Sequence, residues 1–291
     1  MAFVNEAFEA YYRSCFGARW ESLRQCLLKN AGAVPYTGGR AALLTAPYLL
    51  DRSSILAALS LRLPAEGIIL DACAAPGGKS LVIASNMSGE TRLLSNELSS
   101  ERRRRLAKVL DGHLDAALRE RVRVSGFDAA ALAGKRREHE RFDALLLDVP
   151  CSSEAHVLQN PAALAQWTRA RPRFLAKRQW ALLSAAFLLL RPGGSLVYVT
   201  CALSPDENDG VVSRLREKYR DAVSPDAPDF PEGEETSHGR LLLPDQADGM
   251  GPLYVARFRK GVVSPGSNQP GGGKDPGAAG WDRRGSGRRN G

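Results

Sequence analysis

Between about residue 67 and residue 260 the apolar positions gather into short runs separated by amphipathic stretches and turns. GIILDACA reads as a buried strand, followed by a Gly-rich turn and the helix-like KSLVIASNM. TRLLSNE gives a second strand and SSERRRRLAKVLDGHL a helix. RVRVSGFD, FDALLLDVP and GSLVYVTC give three more strands, the last two flanking the helix KRQWALLSAAFLLL. Pro192 and the Gly193-Gly194 pair are expected to stop that helix before its strand begins. PLYVARFRK alternates like a strand, antiparallel and late in the sheet. Strand and helix in turn predict an α/β fold, a mainly parallel sheet with helices on both faces. Right-handed crossovers then leave a ligand at the carboxyl ends of the strands.

The flanks read differently. FEAYYRSCFGARWESLRQCLLKN mixes apolar and charged positions near helical period; Pro35 and Gly38-Gly39 interrupt it, and a second amphipathic stretch runs from Ser53 to Leu61. Residues 1–62 are therefore expected to be a short helical extension, and 63–260 the main domain. Residues 261–291 hold ten Gly and three Pro, too little apolar surface to offset chain entropy, so a disordered basic tail carrying Arg283-Arg284 and Arg288-Arg289 is expected.

Composition narrows the class. No apolar run reaches membrane-spanning length, and the first residues lack the basic start and apolar stretch of a signal peptide, so a cytoplasmic protein is expected. Five cysteines, widely scattered and without CxxC spacing, argue against a disulfide framework and against a zinc site, leaving reduced thiols for chemistry. The net charge of +8 favours a polyanionic partner. A monomer is the default.

Candidate chemistry lies at the strand ends. DACAAPGGKS sits where the first strand gives way to a helix; Gly77 and Gly78 permit a tight turn and close approach to a ligand, and the helix start offers free N–H groups. It is neither a P-loop nor GxGxxG. Glu97 ends the second strand, 26 residues after Asp71, where an acid can accept from both ribose hydroxyls of a nucleoside. Asp128 ends the third strand and Asp148 the fourth, so acids close three successive strands and suit the adenosine half of S-adenosylmethionine. Cys151 follows Asp148-Val149-Pro150, and Cys201 closes the next strand. Two thiols and a carboxylate at one sheet edge suit methylation of a pyrimidine carbon. A thiolate adding to C6 makes C5 enamine-like, an acid at N3 accepts the developing charge, and a second thiol can assist release. One such cysteine alone would more often be a small buried core residue; Cys73, Cys15 and Cys26 are read as structural.

DACAAPGGKS, LLLDVPCSS and VYVTCALSPDENDGVV together resemble the RsmB/Nop2/Sun family of RNA cytosine-5 methyltransferases, the likeness running from about residue 48 to residue 260. The resemblance implies a Rossmann-like class I methyltransferase fold with an RNA-facing N-terminal segment and S-adenosylmethionine as cofactor. It also implies Cys201 as the nucleophile, Cys151 as the thiol that aids release, and Asp148 as the acid at the target base. Ala75, Pro76, Gly77, Gly78 and Lys79 match the cofactor loop, and Glu97, Arg102, Asp128 and Asp148 match further cofactor contacts. Position 97 is Glu where the family usually has Asp. The segment SSEAHVLQNP after the PC motif is more similar to the mitochondrial rRNA and tRNA branch.

RNA contacts are expected from Arg169, Arg171, Arg173, Lys177 and Arg178, with Trp167 and Phe174 as stacking surfaces; Trp180 is expected to pack inside and His156 to be a plain loop residue. Ribosomal RNA is favoured as substrate. Transfer RNA, and a non-catalytic assembly factor with a retained cofactor site, stay as alternatives.

Overall fold

The computed structural model describes residues 4–29 and 32–262, so the predicted tail lies outside the described residues apart from its first two. The chain opens with α1 (Glu6–Phe16) and α2 (Trp20–Leu27). Asn5 caps α1 by accepting the Phe8 N–H at 3.1 Å, Glu6 and Glu9 occupy the first turn, and Gly17 ends the helix at φ 58°. Phe8 and Tyr12, one turn apart, form its buried face.

The next segment departs from expectation. Where the sequence suggested only an interrupted helix, β1 (Ala33–Gly38) and β2 (Leu43–Asp51) form an antiparallel hairpin. Gly38, at φ 135°, is its corner: a Cβ there would lie 2.6 Å from the Ala42 carbonyl oxygen. The hairpin rests on the helix that follows the first sheet strand. The Tyr36 hydroxyl is 2.9 Å from Ser85 Oγ and accepts from Asn86 Nδ2 at 3.1 Å. Its outer face leaves Leu43 and Leu49 exposed, which is why the alternation was weak in sequence.

Among the described residues eight α-helices follow the hairpin: α3 (Arg52–Leu59), α4 (Gly78–Ala84), α5 (Ser100–His113), α6 (Ala116–Glu120), α7 (Glu154–Gln159), α8 (Pro161–Ala165), α9 (Ala170–Leu189) and α10 (Asp209–Tyr219). They alternate with the strands of a nine-stranded sheet: β3 (Glu66–Asp71), β4 (Glu90–Asn96), β5 (Val122–Ser125), β6 (Phe142–Asp148), β7 (Leu190–Thr200), β8 (Val223–Pro225), β9 (Glu234–Glu235), β10 (Arg240–Leu242) and β11 (Leu253–Lys260). The order is β5-β4-β3-β6-β7-β11-β10-β9, with β8 also on β11. The five strands from β5 to β7 are parallel, and β11 is antiparallel to β7, as expected. This is the Rossmann-like class I methyltransferase fold. Strands β8 to β10 are too short to leave a period. The α9–β7 junction also differs. The strand begins at Leu190, paired with Phe142, and Arg191–Gly194 is an irregularity within it rather than a stop before it. A Cβ on Gly194 would sit 2.8 Å from the Asp143 carbonyl, so glycine lets the two strands close there.

Two apolar clusters cover the sheet. Leu81 and Val82 of α4 with Leu106 and Leu110 of α5 pack on one face; Leu182, Leu183 and Phe187 of α9 with Val211 and Leu215 of α10 pack on the other. A third cluster joins α1 and α2 to α7 and α8 through Phe8, Tyr12, Trp20, Val157, Leu164 and Trp167. The N-terminal helices are thereby fixed beside the loop that follows β6. The chain leaves β3 for β4 on one side and returns to β6 on the other, placing a crevice at the carboxyl edge.

Candidate active site

Asp71 ends β3, and the chain turns through Ala75 and the exposed Pro76 into α4. Gly77 stands at φ 123°, and a Cβ would press on Leu106 and Val109 at 3.1 Å. At Gly78 a Cβ would fall 2.6 Å from Leu50 Cδ1 of the hairpin. The glycine pair therefore also serves packing, against α5 and against β2. Arg102 ties the loop to the next strand end: its Nη2 donates to the Ala75 carbonyl at 2.8 Å, and its Nη1 lies 3.2 Å from Glu97 Oε2. Glu97 Oε1 accepts the Ser99 N–H at 2.9 Å, while Oε2 accepts no hydrogen bond. In front of these groups lies a cavity of about 660 Å³ lined by Cys73, Glu97, Arg102, Phe127, Asp128 and Arg178, a size suited to a nucleoside. A buried acid whose Oε2 meets only the Arg102 guanidinium at such a cavity fits the ribose of S-adenosylmethionine. Cys73 lies beyond the strand it was expected to pack within and lines this cavity; burial pushes its thiol up to about 12.

Lys79 points elsewhere. Its Nζ donates to Asp148 Oδ2 at 2.7 Å and to Ser54 Oγ at 3.2 Å. Burial opposes its charge, but Asp148 outweighs this and holds the ammonium above its ordinary pKa. Behind it, the carboxyl of Asp71 takes a hydrogen bond from Ser80 at 2.6 Å, yet burial pushes it up to about 7.

The register Asp148↔Val199 brings the ends of β6 and β7 together. Cys151 and Cys201 are free thiols with their sulfurs 2.9 Å apart. The Cys201 N–H donates to Cys151 Sγ at 3.3 Å, and Ser153 Oγ is 3.1 Å from Cys201 Sγ. The hydrogen bond from Cys151, then that from Ser153, lowers the Cys201 pKa against burial; the same contact and burial raise that of Cys151. The pair is polarised, Cys201 towards thiolate and Cys151 towards thiol.

Two buried carboxyl groups that the motif reading passed over hold these loops. Ser152 lies between them: its N–H donates to Glu207 Oε2 at 3.0 Å and its hydroxyl to Glu154 Oε1. Glu154 also accepts from the Tyr12 hydroxyl of α1 and, through Oε2, from the Leu203 N–H at 2.8 Å. Glu207 further accepts from Gln179 Nε2 at 2.8 Å. Burial raises both acids, Glu207 to about 7. Their positions, three residues after Cys151 and six after Cys201, were the available signal.

Arg171, Arg173, Phe174 and Lys177 are exposed on α9, Phe174 at 69%. Trp167 does not: it is 2% exposed, its ring 5.1 Å from Phe8. Arg169 is spent on Asp206 at 2.8 Å and lies over Tyr11, and Arg178 lines the cavity. Trp180 is half-buried beneath Arg214 and Lys218 rather than inside. His156 is exposed on α7. Among the described residues no helix is long and apolar enough to cross a membrane, and no group of His, Cys, Asp and Glu is arranged to hold a metal.

A model of the 16S rRNA methyltransferase RsmB/F family matches residues 58–259. The chain is 38% identical over 221 residues to ribosomal RNA small subunit methyltransferase F of Aeromonas salmonicida, covering 73% of this chain and 45% of the relative. Its identity to the enzyme of the same name from Escherichia coli is 37%, covering 75% and 46%. The chain thus spans about half the length of these relatives. NSun6 from Pyrococcus horikoshii, solved with SFG, an analogue of S-adenosylmethionine, superposes with a TM-score of 0.64 at 25% identity, over 74% of this chain and 53% of that one.

Proposed function

The chain belongs to the 16S rRNA methyltransferase RsmB/F family, and on that premise we propose that it methylates C5 of a cytosine in structured ribosomal RNA. The observation that carries the cytosine-5 reading is the pair of free thiols 2.9 Å apart beside the Lys79–Asp148 pair. Acceptors that are already nucleophilic, such as amines and hydroxyls, need no such apparatus.

S-adenosylmethionine supplies an electrophilic methyl group; Glu97, Arg102 and Asp128 would hold its adenosine part. The Cys201 sulfur adds to C6, and the electron pair displaced through the ring is met at N3 by a proton from the Lys79–Asp148 pair. C5 is then enamine-like and nucleophilic. After methyl transfer the C5 proton leaves to water, the C5=C6 bond re-forms, the C6–S pair returns to Cys201, and the N3 proton goes back to the Lys79–Asp148 pair. Cys151, its S–H directed at that sulfur, stabilises it as it departs. Arg171, Arg173 and Lys177 supply phosphate contacts and Phe174 a stacking face.

Purified protein with 16S rRNA and labelled methyl donor, followed by bisulfite sequencing, tests this. One protected cytosine, lost with Cys201→Ala, is expected. Methylation that survives Cys201→Ala refutes the covalent role. Cofactor binding without transfer to any ribosomal RNA would favour the assembly-factor reading.

A further inference from the structure

We propose that Ser153 is a catalytic residue of the thiol site, its hydroxyl donating to the Cys201 sulfur whenever that sulfur carries charge. The inference rests on the reading of Cys201 as nucleophile and adds a group which that reading does not require.

The first observation is position. Ser153 Oγ is 3.1 Å from Cys201 Sγ and 3.5 Å from Cys151 Sγ, so one hydroxyl touches both thiols. Its remaining neighbour, the Cys151 carbonyl, is at the 3.5 Å limit and competes weakly for the proton. The second observation is backbone conformation. Ser153 has φ 53° and ψ 63°, the left-handed region that glycine occupies freely and other residues adopt at a cost. A serine kept there beside a reacting atom is an outlier of the kind that clusters at active sites. The third is that the hydroxyl does no ordinary work: although Ser153 precedes α7, it makes no side-chain cap to that helix.

The surroundings supply the need. Cys201 is half-buried, and the nearby Asp148 and Glu154 disfavour a negative sulfur. Hydrogen bonds to the sulfur counter that, one from Cys151 and one from Ser153. Cys151 has a second duty when the adduct breaks down, whereas Ser153 is free to act at both ends of the cycle. It donates before addition and again as the C6–S pair returns. Ser152, clasped between Glu154 and Glu207, fixes the neighbouring backbone and so aims the hydroxyl.

The test uses Ser153→Gly and Ser153→Ala in the full chain, with three readouts. Alkylation of Cys201 by iodoacetamide is followed against pH by peptide mass spectrometry in the free enzyme, independently of RNA. Methyl transfer to 16S rRNA gives the rate, and the thermal midpoint reports the fold. Glycine removes the hydroxyl and relieves the backbone together. Its midpoint should therefore stay level or rise while Cys201 alkylation at neutral pH and kcat both fall about tenfold. Alanine should reproduce the alkylation shift, isolating the hydroxyl from the backbone. Unchanged alkylation and kcat in both variants would overturn the proposal. So would a loss of stability in Ser153→Gly that accounts for the lost rate, because the side chain would then be structural. Methylation by Cys201→Ala is a separate outcome: it removes the nucleophile reading itself, whatever the serine variants show.

Discussion

The cofactor cavity and the thiol loops share one edge of the sheet but are held in different ways. On the cavity side each group stands at or just beyond its own strand end: Glu97 follows β4, Asp128 follows β5, and Arg102 reaches across from α5. Their oxygens face an open space of about 660 Å³ and meet few protein partners. On the thiol side the two sulfurs sit in loops after β6 and β7, and buried carboxyl groups hold those loops from behind, one of them reaching α1. A binding wall can be assembled from strand ends and the helix residues beside them. A pair of sulfurs that must stay within hydrogen-bond reach needs a second layer of fixed groups.

If that contrast is real, its largest expression is stability. Glu154→Ala strips the acceptor from Tyr12, Ser152 and the Leu203 N–H at once. Leaving three donors buried without partners should cost about 3 kcal/mol or more in chemical denaturation. Glu154→Gln, which keeps a carbonyl oxygen for two of them, should lose less than half as much. A Glu154→Ala protein as stable as the parent would erase the contrast.

Asp71 stands between the two regions, facing Asp148, Lys79 and Glu97. Its folded-state pKa of about 7 lies far above its ordinary value of 3.8 because burial favours the neutral acid. The unfolded chain therefore releases this proton first as pH rises. The stability it contributes is complete below about pH 4 and is lost progressively up to about pH 7, by on the order of a few kcal/mol. Glu207, also raised to about 7, adds to the same slope, so the difference between parent and Asp71→Asn isolates this group. The variant should be flatter between pH 4 and 7; an identical slope would remove Asp71 from the account.

Glu97→Ala should show the opposite balance. It forfeits the hydrogen bond to the Ser99 N–H and the ion pair with the half-exposed Arg102, together about 1–2 kcal/mol of stability. S-adenosylmethionine should bind about 10- to 100-fold more weakly by titration calorimetry, through loss of the ribose acceptor. Unchanged affinity would place the ribose elsewhere.

The same contrast explains what could be read in advance. Buried strands such as FDALLLD and VYVT announce themselves by composition, and Glu97 and Asp148 follow from where those runs stop. Cys151 and Cys201 were legible because motif and strand end coincide. The clasp was not: Glu154 and Glu207 look like solvated charges in a loop and a helix start, and only the fold shows that they are buried. The hairpin escaped for a related reason, its stability coming from contact with α4 rather than from its own pattern. Trp167 misled because an aromatic residue among arginines suits an RNA surface, whereas here it anchors the N-terminal helices. In each case a partner distant in sequence decided the outcome.

The smallest test asks whether α1 belongs to the thiol side at all. Tyr12→Phe keeps the ring stacked on Trp20 at 5.3 Å and removes only the hydroxyl that reaches Glu154. One buried hydrogen bond is worth about 1 kcal/mol. If that bond carries position from α1 to the Cys151 loop, kcat should fall about threefold with KM unchanged, since no substrate contact is touched. A cycle with Glu154→Ala sharpens the point. The double variant should recover about 0.5–1 kcal/mol relative to the sum of the singles, because each breaks the same bond. Additive singles with an unchanged kcat would mean that aromatic packing and the hydrogen bonds of Asn5 and Tyr11 fasten α1 without the Tyr12 hydroxyl, and that this hydroxyl does nothing to place the Cys151 loop.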